Sequence, residues 1–258
     1  MKLGVTAALL SLSVSCAWGS APVLHIDAGH VVAHVSPLFY GIMTEEINHS
    51  YDGGLYAELI SNRTFQDDAR DPVNWFLTNH EPGAGAVSLD PTQPLNDALK
   101  ISLKLEVKAA TAHSPVGVAN RGFWGIPVRP DTCYRASFYA KADPVFSGPL
   151  RIAILSKDGA TTYAAAQVPA VSPEWKKYEV SLTTTKVAPT EDAVFAVTAT
   201  SPGTLWLNVV SLFPPTWNDR PNGLRKDLML LLADYGPHFL RFPGGNYLEG
   251  NAVANRFD

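Results

Sequence analysis

Between residues 100 and 212 apolar and polar positions alternate in short runs. Residues 100–107 set Ile101, Leu103, Leu105 and Val107 on one face, which predicts a half-buried strand. Residues 134–140 do the same around Tyr134, Ala136 and Phe138. Residues 150–155, 177–182, 193–198 and 204–212 predict four further strands. Gly, Pro and Asp turns separate them, and no helical period intervenes. Many short strands with turn signals between them predict an antiparallel β-sandwich over residues 70–215.

On either side of that stretch the grammar changes. Residues 38–43 form a short apolar run, followed by the polar Thr44, Glu45, Glu46, Asn48 and His49. Residues 55–60 then place Leu55, Leu59 and Ile60 on roughly one face and predict a helix. After the sandwich, residues 224–235 carry Leu224, Leu228, Leu231 and Leu232 on one stripe, with Asn222 as the expected N-cap and Gly236 as the stop. A second apolar run, residues 238–242, ends at Pro243 and the Gly244-Gly245 bend, with Asn246, Glu249 and Asn251 beyond. Arg241 lies within that run, where a guanidinium needs partners. Near the start, residues 23–27 and 31–35 read as a hairpin around Gly29.

Composition narrows the class. The chain has 258 residues, 46% of them hydrophobic, enough for a sizeable core. A formal net charge of -4 without a basic cluster argues against a nucleic-acid partner. Residues 1–19 read as a secretory signal, with Lys2, an apolar core and small residues at the cleavage site, so a secreted protein with no membrane partner is expected. Cys16 would leave with that signal. Cys133 is then the one mature cysteine and is expected as a buried small hydrophobe. Asn48 and Asn62 both open N-glycosylation sequons, and Asn62 is the preferred acceptor because Asn48 adjoins the polar loop after residue 43. His25, His30 and His34 lack a carboxylate or cysteine at ligand spacing, so neither a metal nor any other cofactor is called for. Trp75, Trp124, Trp175 and Trp206 either stack on sugar rings or fill the core.

Three stretches together carry a resemblance. They are Phe39-Tyr-Gly-Ile-Met-Thr-Glu-Glu-Ile-Asn-His49, Gly53-Gly-Leu-Tyr-Ala-Glu-Leu-Ile-Ser-Asn-Arg-Thr-Phe65 and Phe239-Leu-Arg-Phe-Pro-Gly-Gly-Asn-Tyr-Leu-Glu-Gly-Asn251. In this order they resemble the N-terminal portion of family 51 glycoside hydrolases, the α-L-arabinofuranosidases. The resemblance implies an α+β multidomain fold, the start of a (β/α)8 barrel interrupted by a β-sandwich. That sandwich is similar to the galactose-binding-like jelly rolls of carbohydrate-binding modules. The implied divisions are residues 20–69 for N-terminal strands and the first barrel unit, 70–215 for the insert, and 216–258 for the resumed barrel. Because a barrel takes about 250 residues, and the 146-residue insert (70–215) leaves far fewer than that of the 258, the chain is expected to be a truncated part of one. In many such jelly rolls the last strand has an aspartate where this chain has Asn208.

The resemblance also implies roles. Glu45 and Asn246 match residues that hydrogen-bond an arabinofuranose. Arg241 matches an arginine that orients the catalytic carboxylates. Glu46 and Gly245 join this substrate-binding set by their place beside it. Retaining glycosidases need two carboxyl groups about 5–5.5 Å apart. In the resembled family the acid/base glutamate follows an asparagine, and no Asn-Glu pair occurs in this sequence. No catalytic residue is therefore assigned. The expected partner is an arabinose-containing polysaccharide or oligosaccharide. A non-catalytic, secreted sugar-binding sandwich is the alternative.

Overall fold

The computed structural model describes residues 22–45, 48–79 and 81–242. The chain divides into two compact units, Met1–Phe39 and Tyr40–Asp258. In the first, the expected turn is present. The His30 amide donates to the Asp27 carbonyl at 3.3 Å, and the Gly29 amide to Asp27 Oδ1 at 3.0 Å. The strands expected on either side do not form in the described residues of this unit. Val23, Leu24, Ile26, Val31 and Val32 are all more than two-thirds exposed. A two-stranded hairpin with no covered apolar face is marginal in water.

The second unit is dominated by a sandwich. Its elements in chain order are β1 (Ile42–Met43), β2 (Trp75–Asn79), β3 (Ala84–Asp90), β4 (Ser102–Ala109), β5 (Val116–Asn120), β6 (Ile126–Val128), β7 (Cys133–Ala142), β8 (Leu150–Ser156), β9 (Thr162–Val168), β10 (Lys176–Thr183), β11 (Thr190–Ala199), β12 (Gly203–Phe213), helix α1 (Lys226–Tyr235) and β13 (Leu240–Arg241). One sheet runs β10-β7-β12-β4-β3 and the other β2-β5-β11-β8-β9, with β6 pairing β11. All six strands expected from alternation are present. Leu103 and Leu105 of β4, Phe138 of β7, Ile152 and Ile154 of β8, Phe195 and Val197 of β11 and Leu205 and Leu207 of β12 meet between the sheets at 0% exposure.

Residues 55–60 are not helical. They run through turns and extended backbone, and they are stitched to the sandwich instead. The Ala57 amide donates to the Gly223 carbonyl at 3.1 Å and the Leu59 amide to the Leu212 carbonyl at 3.0 Å. Ile60 and Phe65 enter the same core as the strands. The lock is Glu58, 3% exposed, whose carboxylate accepts from the Leu212 and Ile60 amides at 2.9 and 3.0 Å and from the Ser211 hydroxyl at 2.6 Å. Arg63 pairs with it at 3.1 Å. A carboxylate satisfied by backbone amides outweighs the helix propensity of five or six residues.

Two smaller expectations also change. Asn222 does not cap α1. It sits at φ 51°, and Arg225 takes the N-cap position without a side-chain bond. Backbone bonds from Trp217 to Leu224 and from Arg225 to Leu55 hold residues 224–225 extended, so the helix starts later. Gly236 does stop it, at φ 63°. Cys133 is exposed rather than buried, because Tyr134 takes the inward position on β7. Asn62 is 8% exposed and its amide nitrogen donates to the Val73 carbonyl at 2.9 Å. That nitrogen is committed, whereas Asn48 is exposed.

Candidate functional site

The two short runs outside the sandwich meet. β1 and β13 pair in parallel, Ile42 opposite Leu240 and Met43 opposite Arg241. The Ile42 amide donates to the Phe239 carbonyl at 3.1 Å and the Thr44 amide to the Arg241 carbonyl at 3.2 Å. Any side chain at Gly41 would collide with the Phe239 ring, so the glycine permits this close pairing. Parallel pairing sends both strands the same way, so Glu45, two residues past β1, and Arg241, at the end of β13, lie toward one edge. Glu45 is half-buried and its carbonyl accepts the Ser50 hydroxyl. Arg241 is exposed. Beyond them, Tyr51 and Phe242 meet edge-to-face at 5.2 Å. Glu46, Gly245 and Asn246 lie outside the described residues, as do Glu249 and Asn251.

The four tryptophans singled out above divide three ways. Trp75 is core, 5% exposed, with its indole N–H on the Asn62 carbonyl at 3.1 Å. Trp206 and Trp175 are half-buried on the outer face of the five-stranded sheet. Trp206 donates to Asp90 Oδ2 at 2.8 Å and Trp175 to the Pro94 carbonyl at 2.9 Å. Lys141 places its ammonium over both rings, 5.5 and 5.9 Å from the centroids, and donates to Gln93 at 2.7 Å. Burial acts to raise the Asp90 carboxyl, but bonds from Thr92 and Trp206 outweigh it and hold the group below the usual range. Asn208 is fully buried, donating to the Ile101 carbonyl at 2.9 Å and to Ser102 at 3.2 Å. Trp124 differs from all of these at 71% exposure.

Two groups gave no signal in the sequence. One is the buried Glu58 anchor. Burial pushes its carboxyl upward, against the bonds from Leu212, Ser211 and Ile60 and the charge of Arg63. The other is an aromatic corner, where His49 meets Phe123 at 5.4 Å and Trp124 at 5.8 Å. Gly53 makes room for it, since a side chain there would strike Phe123.

Residues 57–204 match the family model described as a carbohydrate binding domain. The chain belongs to that family. The sandwich is thus its carbohydrate binding domain, and the likeness to α-L-arabinofuranosidases drawn from the three motifs holds in whole-chain comparisons. The chain is 37% identical over 228 residues to a probable α-L-arabinofuranosidase A of Aspergillus terreus, covering 86% of this chain and 35% of that protein. It is 32% identical over 248 residues to α-L-arabinofuranosidase 1 of Arabidopsis thaliana, covering 92% of this chain and 36% of the relative. Among solved structures it is similar to an arabinose-bound family 51 α-L-arabinofuranosidase, with a TM-score of 0.75 and 36% identity over 84% of this chain and 36% of the other. The chain therefore spans about a third of the length of these relatives.

Proposed function

We propose that this chain is the N-terminal, substrate-holding part of a secreted α-L-arabinofuranosidase. That enzyme removes terminal non-reducing α-L-arabinofuranosyl residues from arabinose-containing plant cell-wall polysaccharides by a retaining mechanism. In this reading β1 and β13 are adjacent strands of a (β/α)8 barrel, and the carbohydrate binding domain is inserted between them. The observation that carries it is the parallel register of Met43 with Arg241 across that whole domain. Barrel enzymes build their sites where parallel strands end. Glu45 then accepts from sugar hydroxyls, with Glu46, Gly245 and Asn246 around the same ring. Arg241 stands ready to pair with a carboxylate. The nucleophile and the acid/base are supplied by residues other than these 258.

The test joins this chain to the remaining two-thirds of the Aspergillus terreus relative. The chimera should hydrolyse an aryl α-L-arabinofuranoside, while the 258-residue chain alone should not. Glu45→Ala and Asn246→Ala should each lower kcat/KM by about tenfold to a hundredfold, the worth of one charge-assisted hydrogen bond. An active chimera indifferent to both substitutions would sink the assignment. Turnover by the 258-residue chain would move the catalytic carboxylates into it.

The family match favours a second reading, in which the carbohydrate binding domain acts without catalysis. It predicts glycan binding that is unchanged when Glu45 is replaced.

A further inference from the structure

Trp124 is the largest apolar side chain left open by the sandwich, and the loop that carries it is rigidly built. The Asn120 side-chain amide, fully buried, donates through Nδ2 to the Ser61 carbonyl at 2.9 Å, and its Oδ1 accepts the Gly122 backbone amide at 2.8 Å. The Gly125 amide closes the loop on the Arg121 carbonyl at 3.0 Å. The Arg121 guanidinium lies 4.7 Å from the centre of the Phe76 ring. Gly122 and Gly125 hold φ of 64° and 98°, and a side chain at Gly125 would run into the Glu191 carbonyl. A loop pinned at both ends cannot fold back to bury its indole.

The indole borders a cavity of about 540 Å³ between this loop, residues 53–59 and the start of α1. Phe123, Tyr56 and Pro127 add apolar wall. Two ion pairs also line the cavity, Arg129 with Glu191 at 2.9 Å and Arg225 with Asp227 at 2.6 Å. The carboxylate of Glu58 also lines the space but is committed to Leu212, Ser211 and Arg63.

We propose that this cavity binds a short neutral oligosaccharide, one sugar ring lying on the Trp124 indole and its hydroxyls bonding to the Arg129–Glu191 and Arg225–Asp227 pairs. A sugar ring has an apolar C–H face to set against an indole and hydroxyls that both donate and accept. Paired guanidinium and carboxylate groups offer both halves of that exchange. The volume suits a small-molecule site, for which about 300–1,000 Å³ is usual. Trp175 and Trp206, half-open on the outer sheet face, already have Lys141 over their rings. The proposal rests on the carbohydrate-binding reading of residues 57–204, and the His49 ring, four residues past Glu45, meets the Trp124 indole at 5.8 Å.

Isothermal titration calorimetry of the 258-residue chain with a short arabinoxylan oligosaccharide and a short arabinan oligosaccharide tests it. Saturable binding of at least one probe is expected, weakened about tenfold or more by Trp124→Ala, the order of one lost stacking contact. Trp175→Ala should bind like the parent, and circular dichroism melting should show all variants folded. Undiminished binding by Trp124→Ala overturns the proposal, as does the absence of binding at millimolar concentrations. Loss in Trp175→Ala alone would place the sugar on the outer sheet face. Loss in Glu45→Ala alone would place it at the strand ends. Either of those results overturns the Trp124 site while leaving carbohydrate binding, or the strand-end reading, intact.

Discussion

Strand β4 and helix α1 carry equally regular apolar patterns, and the two meet opposite fates. Leu103 and Leu105 of β4 are fully buried. Leu231 of α1 is 67% exposed, and no residue of that helix is buried. The β1–β13 pair resembles the helix, with Met43, Leu240 and Phe242 all more than half exposed. Periodicity decides which element forms, but burial needs a second surface of matching shape. The sandwich supplies its own second sheet. A surface helix and two short parallel strands do not.

The sharpest way to break this contrast is to empty the sandwich. Phe195→Ala removes a fully buried ring between the sheets and should cost about 3–5 kcal/mol, a large share of a single domain's stability. Urea denaturation reads it directly. A loss under about 1 kcal/mol would mean that the two sheets do not pack as described.

Next comes the anchor that ties residues 55–65 to β12. Glu58→Ala leaves the Leu212 and Ile60 amides and the Arg63 guanidinium without their acceptor. The expected loss is about 2–4 kcal/mol, discounted because Arg63 is 36% exposed. An unaffected midpoint would show that water replaces the carboxylate at no cost.

Acid–base behaviour sharpens the same point. Burial raises the Glu58 carboxyl, so the folded protein holds its proton more tightly than the unfolded chain. Stability from this group is therefore greatest below the unfolded titration and is lost as pH rises through the folded one. Relative to Glu58→Gln, the parent should lose about 1.4 kcal/mol for each pH unit separating the two titrations. A parent that gains on Glu58→Gln as pH rises would show that the bonds from Leu212 and Ser211 outweigh burial.

Legibility followed the same physics. Strands with one covered face, such as β4 and β7, alternate and were readable. β5 is buried at all five of its positions, Val116–Asn120, so it shows no alternation and escaped notice. β9 reads Thr-Tyr-Ala-Ala-Ala-Gln-Val, and its alanines blur inside and outside. The false helix at residues 55–60 had the right local spacing, but Glu58 finds its partners more than 150 residues away on β12. At the strand ends, the repeated order of apolar run and polar loop made the parallel pairing of β1 with β13 legible. Trp124 was indistinguishable from Trp75 in sequence, because one is held open by Gly122 and Gly125 and the other is closed over by Phe65 at 5.3 Å.

The smallest expected effect lies on the helix. Leu231→Lys puts a charge at a position already 67% exposed, in a residue type that helices tolerate well. Its effect on the unfolding free energy should stay within about 0.5 kcal/mol, the range for surface changes away from packed features. Its effect on association should be visible all the same. Leu230 and Leu231, together with Phe239, Leu240 and Phe242, leave open apolar surface near the C-terminal end of the described chain. Light scattering at rising concentration should show less self-association for Leu231→Lys than for the parent, and binding of a hydrophobic dye should fall in parallel. A destabilisation above about 2 kcal/mol would instead mean that α1 is packed in solution, and the contrast with β4 would then disappear.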